Sequence, residues 1–249
     1  MPSTRQLDRR TVLKGAGATA LALSTAGCLD GLLLESGGAT DDVVLDRPAG
    51  YDQLRDQRDE GAIPHPIHGD DLPAVTAPCA LHGEDVTTTE FVGHRHTMYT
   101  FVFTRCPGAC LMLTSRLVHV QVDAVKNEYA DEVALLPVTF DPKHDTPDVL
   151  REYSEVRGAA VDDGNWHFLR PETEERAQAV VEDTFGIHYS RLSDDEREEM
   201  GMHEDMAFTH DEVIVLANAD GYVERTYFGD GIPSQAGLLD DVRTLVERW

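Results

Sequence analysis

The stretch Thr97 to Thr104 (TMYTFVFT) runs through a short turn holding Cys106 and Cys110 into a helix-periodic segment, and this junction constrains the fold more than any other feature. Its β-branched and aromatic residues favour a pleated strand. From Leu111 to Tyr129, Leu113, Leu117, Val120 and Val125 recur at helical spacing and mark one face of a helix. A strand feeding a helix so directly is half of a β-α-β unit, and the alternation continues downstream. Val133 to Phe140 reads as a buried strand. Pro147 opens a helix to about Val156, with Thr146 as N-cap, because a hydroxyl accepts a first-turn N–H and proline's fixed φ suits the first helical position. Trp166 to Leu169 is a short strand, and Glu172 to Phe185 carries Ala177, Val180, Val181 and Phe185 at helical spacing. Val213 to Ala217 is a strand, Asn218-Ala219-Asp220-Gly221 a hairpin turn into Tyr222 to Phe228, and Gln235 to Arg248 a closing helix. The order β-α-β-α-β-α-β-β-α, from about Ala62 onward, is an α/β pattern.

The chain ahead of Ala62 has a different character. Arg9-Arg10 precede Thr11-Val12-Leu13-Lys14, a small and apolar run follows from Gly15 to Leu23, and Ser24-Thr25-Ala26-Gly27 lead to Cys28. Residues 1–27 resemble a twin-arginine (Tat) signal peptide whose lipobox ends at Cys28. The apolar run is about half the ~20 residues that cross a bilayer, so a permanent span is not expected. The resemblance implies export by the Tat route and anchoring at the outer face of the cytoplasmic membrane through a lipid on Cys28. Residues 28–61 have no sustained apolar period and read as a flexible acidic tether, with Asp52 to Glu60 able to form a short polar helix. Residues 62–249 are then the folded domain.

Charge excludes one class of partner. With 46 Asp+Glu against 21 Lys+Arg the formal charge is -25, and no basic cluster follows residue 14, so nucleic-acid binding, which needs clustered cations on phosphates, is not expected. Only Lys14, Lys126 and Lys143 are lysines. A carboxylate-rich, lysine-poor surface of this kind reads as halophilic adaptation, since salt screens its self-repulsion.

The chemistry concentrates in Cys106-Pro107-Gly108-Ala109-Cys110. At i, i+4 on the first helical turn both sulfurs can face one side, and the free N–H groups there favour thiolates, as metal ligands or as a redox pair. A structural disulfide would close too short a loop to restrain much chain. Cys28 and Cys79 lack a partner motif, so a four-sulfur zinc site is disfavoured, whereas two thiolates and an imidazole suit Cu(I) and accept Cu(II). His210 is the best candidate for the imidazole. It precedes the Val213 strand, in a loop that adjacent parallel strands would bring to the same sheet end as the cysteine turn.

Gly93, TFVFTRCPGAC, TFDPKHDTPDVL (Thr139 to Leu150), Trp166 with Phe168-Leu169, and His210-Asp211-Glu212-Val213-Ile214-Val215-Leu216 with Asp220-Gly221 together resemble the Sco/SenC copper chaperones, from about Ala80 to Trp249. That resemblance implies a thioredoxin-like fold with a central mixed sheet flanked by helices. It implies copper, as Cu(I) or Cu(II), held by Cys106, Cys110 and His210, and delivery to the CuA site on the copper-bearing subunit of cytochrome c oxidase. A membrane-tethered thiol-disulfide oxidoreductase using Cys106 and Cys110 is the alternative. Thioredoxin-like reductases use CxxC and place a proline opposite it. Here the spacing is CxxxC, no proline occurs between Pro171 and Pro233, and His210 lies in that region.

Asp141 and Asp145 read as caps that tighten the turn before Pro147, or as carboxylates that orient the metal loop or dock a partner. Met200, Met202, His203 and Met206 read as an acidic insertion covering a small apolar patch, or as soft ligands that collect copper. Cys79 reads as a small buried residue in preference to a third thiol that attacks a Cys106–Cys110 disulfide.

Overall fold

The computed structural model describes residues 42–203 and 206–249. In chain order its elements are α1 (Tyr51–Asp59), β1 (Thr76–Pro78), β2 (Asp85–Thr87), β3 (His96–Val102), α2 (Ala109–Lys126), β4 (Val133–Thr139) and α3 (Pro147–Val156). There follow α4 (Glu174–Gln178), β5 (Tyr189–Arg191), α5 (Asp194–Glu199), β6 (Phe208–His210), β7 (Val213–Ala217), β8 (Val223–Phe228) and α6 (Gln235–Arg248).

The central sheet has the order β4-β3-β7-β8. β3 pairs in parallel with β4 and antiparallel with β7, and β7 pairs antiparallel with β8, so the sheet is mixed. Every residue of β3, β4 and β7 is buried, which is why these strands are continuously apolar or threonine-rich rather than alternating. Trp166–Leu169 extends the sheet beyond β4 through parallel bridges Leu135 to Trp166 and Val138 to Leu169, and Cys79 bridges Leu169 beyond that. This is the thioredoxin-like α/β architecture, with helices flanking a mixed sheet.

α2 buries Cys110, Leu113, Leu117 and Val120, but Val125 is half exposed: the helix starts two residues earlier than the periodicity suggests and ends at Lys126. Thr146 caps α3 by accepting from Val149 N–H. α4 continues into a π-helical turn over Ala179–Thr184, where Thr184 donates its hydroxyl to the Ala179 carbonyl. That wider turn still buries Ala177, Val180, Val181 and Phe185.

Two expectations change. The segment 28–61 is not a tether throughout. Residues 28–41 fall outside the described residues, as do 1–27. From Val44 onward, however, the chain is docked: buried Glu224 on β8 accepts the backbone N–H groups of Val44 (2.7 Å) and Leu45 (2.9 Å), and Leu45 enters the core. Arg55 on α1 pairs with Asp70 at 2.8 Å. The folded unit therefore takes in the chain from Val44 onward, well ahead of residue 62. The physical reason is a distant carboxylate that satisfies backbone donors, which leaves no periodic mark on the segment it holds. The second change is the acidic stretch before His210. Tyr189–Arg191 and Phe208–His210 pair as an antiparallel hairpin, and α5 within it is closed by a capping box in which Ser193 and Glu196 bond each other's backbone N–H.

Candidate metal centre

Cys106 lies in the turn after β3 and Cys110 in the first turn of α2; both are buried and both are free thiols. His210 ends β6. One atom from each of Cys106, Cys110 and His210 falls within 4.8 Å of the others, and His210 is the partly exposed member. The route by which the chain brings His210 there differs from the expected one. β3 and β7 are antiparallel, with Thr100 opposite Ile214, so the start of β7 lies beside the end of β3. His210 sits on a strand paired with Tyr189, not in a loop.

His210 Nδ1 lies 2.8 Å from the Asp211 carbonyl, which can only accept, so Nδ1 carries the proton. Nε2 faces the cluster and stands 3.3 Å from Cys110 Sγ. The ring packs against Phe103 and Phe140, which fix its plane and keep that side of the cluster apolar. The two sulfurs are electrostatically unlike. Cys106 is pulled down to about 4, first by the hydrogen bond from Cys110 and then by His210 and the backbone N–H groups of Cys110 and Gly108. Burial, followed by the neighbouring Cys106, pushes Cys110 well above its ordinary value. The reduced pair thus holds one thiolate and one thiol, and a cation must displace the second proton.

Asp141 and Asp145 do not cap α3; Thr146 does. Both carboxylates brace the cysteine turn from below. Asp145 is fully buried and accepts from the Thr104 N–H and hydroxyl and from the Thr139 hydroxyl. Burial raises its carboxyl above the ordinary value, and the hydrogen bonds from Thr104 and Thr139 oppose that shift. Asp141, 1 % exposed, receives Arg105 at 2.7 Å and Arg191 at 3.4 Å. Arg170 ties the same loop by donating to the carbonyls of Asp145 (2.8 Å) and Pro142 (2.7 Å). The two residues before Cys106, Thr104 and Arg105, are therefore held by one carboxylate network, with Arg191 linking it to the hairpin that carries His210.

Of the methionine group, Met200 and Met202 are exposed and Met206 packs against the core. Among the described residues, His203 falls in neither of the groups of clustered ligand atoms. His82 and His167 carried no expectation, yet with Cys79 they form a second group whose ligand atoms also lie within 4.8 Å of one another.

The SCO1/SenC family model matches residues 79–247. An SCO2-like protein of Rickettsia prowazekii (strain Madrid E) is 29% identical over 133 residues, covering 52% of this chain and 58% of the relative, so the chain spans under two thirds of that relative's length. Among solved structures, a SCO1/SenC family lipoprotein from Bacillus anthracis superimposes with a TM-score of 0.57 at 20% identity, covering 73% of this chain and 97% of that one. ScoI of Arabidopsis thaliana, solved with copper bound, superimposes at 0.52 and 19% identity, covering 73% and 99%. At such identities the structural likeness establishes the fold, while the family model spans most of the chain and takes in both cysteines of the turn and His210: the chain belongs to the SCO1/SenC family.

Proposed function

We propose that this chain is a copper metallochaperone, taking Cu(I) or Cu(II) on Cys106, Cys110 and His210 and delivering it to the CuA site of cytochrome c oxidase. One observation carries the reading: two free thiols and an imidazole within 4.8 Å of one another, in a chain of the SCO1/SenC family. Two thiolates and one nitrogen form a soft, low-coordinate set that suits Cu(I). Copper is cargo here, so release matters as much as capture. His210 lies on the partly exposed side, and an acceptor's ligands can replace it first, with the sulfurs following by ligand exchange. The carboxylate network beneath the turn keeps the sulfurs in place during that exchange.

The same reading gives residues 1–27 the role of a Tat-type lipoprotein signal and Cys28 that of the lipid attachment point, with the domain at the outer face of the cytoplasmic membrane. The Bacillus anthracis relative is itself described as a lipoprotein. The oxidoreductase alternative would use the same pair, with thiolate Cys106 attacking and Cys110 resolving.

The test is copper titration of the full chain carrying Cys28→Ser and Cys79→Ser, reduced and then oxidised. The expected result is one tight equivalent of Cu(I), lost when the Cys106 and Cys110 pair is oxidised and weakened at least ~10-fold by Cys106→Ser, Cys110→Ser or His210→Ala. Unchanged affinity in His210→Ala would remove the third ligand. Absence of tight copper together with turnover of a disulfide substrate would replace the chaperone by the reductase.

A further inference from the structure

Cys79, His82 and His167 form a cluster separate from the one just described, on the far side of β4. The turn joining β1 to β2 is closed by Gly83 N–H to the Cys79 carbonyl (3.0 Å) and Cys79 N–H to the Glu84 carbonyl (2.7 Å). Gly83 takes a φ of +73°, which glycine adopts freely. This tight wrap turns Cys79 and His82 toward the same place. His167 reaches it from the short strand Trp166–Leu169, where alternation sends its neighbours Trp166 and Phe168 to the other face, toward Ser154 and Tyr153 of α3.

Two details of the cluster point to a ligand. His167 is only 8 % exposed, and neither of its ring nitrogens has a hydrogen-bond partner. A buried polar group left unpaired is costly, so two such nitrogens on one ring call for an explanation. His82 Nε2 lies 3.2 Å from the Trp166 carbonyl and must donate to it, which leaves Nδ1 as that ring's lone-pair nitrogen and fixes its tautomer in the way that ligating histidines are fixed.

We propose that Cys79, His82 and His167 form a second metal site, for a d10 cation bound by one thiolate and two imidazoles. Zn(II) and Cu(I) share that chemistry: both are borderline-to-soft and both accept mixed sulfur and nitrogen sets. Three protein ligands leave a coordination position open, and exposed His82 puts that opening toward solvent. The site uses none of the residues assigned to copper transfer and does not rest on that assignment.

The test isolates the site in the full chain by Cys28→Ser, Cys106→Ser and Cys110→Ser, which leave Cys79 as the last of the four cysteines. Zn(II) is titrated against a chromophoric chelator and Cu(I) against bicinchoninate, separately, and the two arms tell which ion the site takes. One equivalent of either ion, weakened at least ~10-fold by His82→Ala and by His167→Gln, is the expected result. Co(II) as a probe should show a thiolate charge-transfer band that disappears when Cys79→Ser is added. His82 is exposed, so His82→Ala keeps the fold and guards against loss by unfolding. Retention of neither ion, binding indifferent to His82→Ala, or a cobalt spectrum with no thiolate band would overturn the site. Because this background lacks Cys106 and Cys110, its failure says nothing of the copper centre, and the converse holds as well.

Discussion

Asp145 shows how much of the centre rests on residues that touch no ligand atom. Its carboxylate is the shared acceptor for Thr104 and Thr139, so it joins the ends of β3 and β4 just where the cysteine turn departs. Asp145→Ala strands three donors in a buried site and is expected to lower stability by about 3 kcal/mol in urea denaturation, with copper affinity falling ~10-fold as the turn loosens. A variant with unchanged stability and affinity would show that the turn stands without it. At this scale the sequence was partly legible. Cys106 and Cys110 are conspicuous because they share one turn, and His210 could be chosen by its place before an apolar strand. His82 and His167 could not. The spacing of Cys79 and His82 is unremarkable on its own, and His167 arrives from another strand whose register no local pattern records. Asp141 and Asp145 were visible as a pair, but their partners, Arg105, Arg191 and Thr104, are set by tertiary packing.

At the scale of elements, Gly186 is a strict requirement. It follows the π-helical turn with a φ of +66°, and a Cβ there would stand 2.3 Å from the backbone carbonyl carbon and oxygen of Pro64. Gly186→Ala therefore meets both a disfavoured dihedral and a backbone clash, and is expected to cost about 2–4 kcal/mol, read as a lowered urea midpoint with unchanged slope. A loss below 0.5 kcal/mol, the range of a neutral surface change, would mean that the Pro64 segment gives way. The elements themselves were largely readable: β4, α3, β7 and α6 fall where strand composition, proline and helical spacing put them. The hairpin β5–β6 was not, because each strand has three residues and α5 between them is wholly polar. Nor was strand direction. Parallel pairing was assumed for the strand beside β3, and the antiparallel register does the same positioning by the opposite geometry.

Across the whole molecule, α2 and α6 are pinned by Asp123, whose carboxylate receives Arg243 and the Tyr129 hydroxyl. Arg243, then Tyr129, holds that carboxyl below its ordinary value. A depressed acid contributes stability that is present above the unfolded value, near 3.9, and is lost as pH falls through the lower folded value. Asp123→Asn should thus be less stable than the parent at pH 7, and the gap should close as both are taken below about pH 4; a gap constant with pH would assign the loss to packing instead. The α/β class and the acidic surface were legible from alternation and composition, because both are properties of many residues at once. The start of the folded unit was not, since it depends on Glu224 accepting two backbone N–H groups far away in sequence. That docking has a consequence for geometry at a surface. Under the proposal that Cys28 carries a lipid, sixteen residues separate that anchor from Val44 against thirty-three to residue 61, so the farthest reach of the chain to the docked segment falls from about 110 Å to about 55 Å. On that proposal the copper-exchange site would meet acceptors only within the nearer half of the height above the bilayer that a tether to residue 61 would allow.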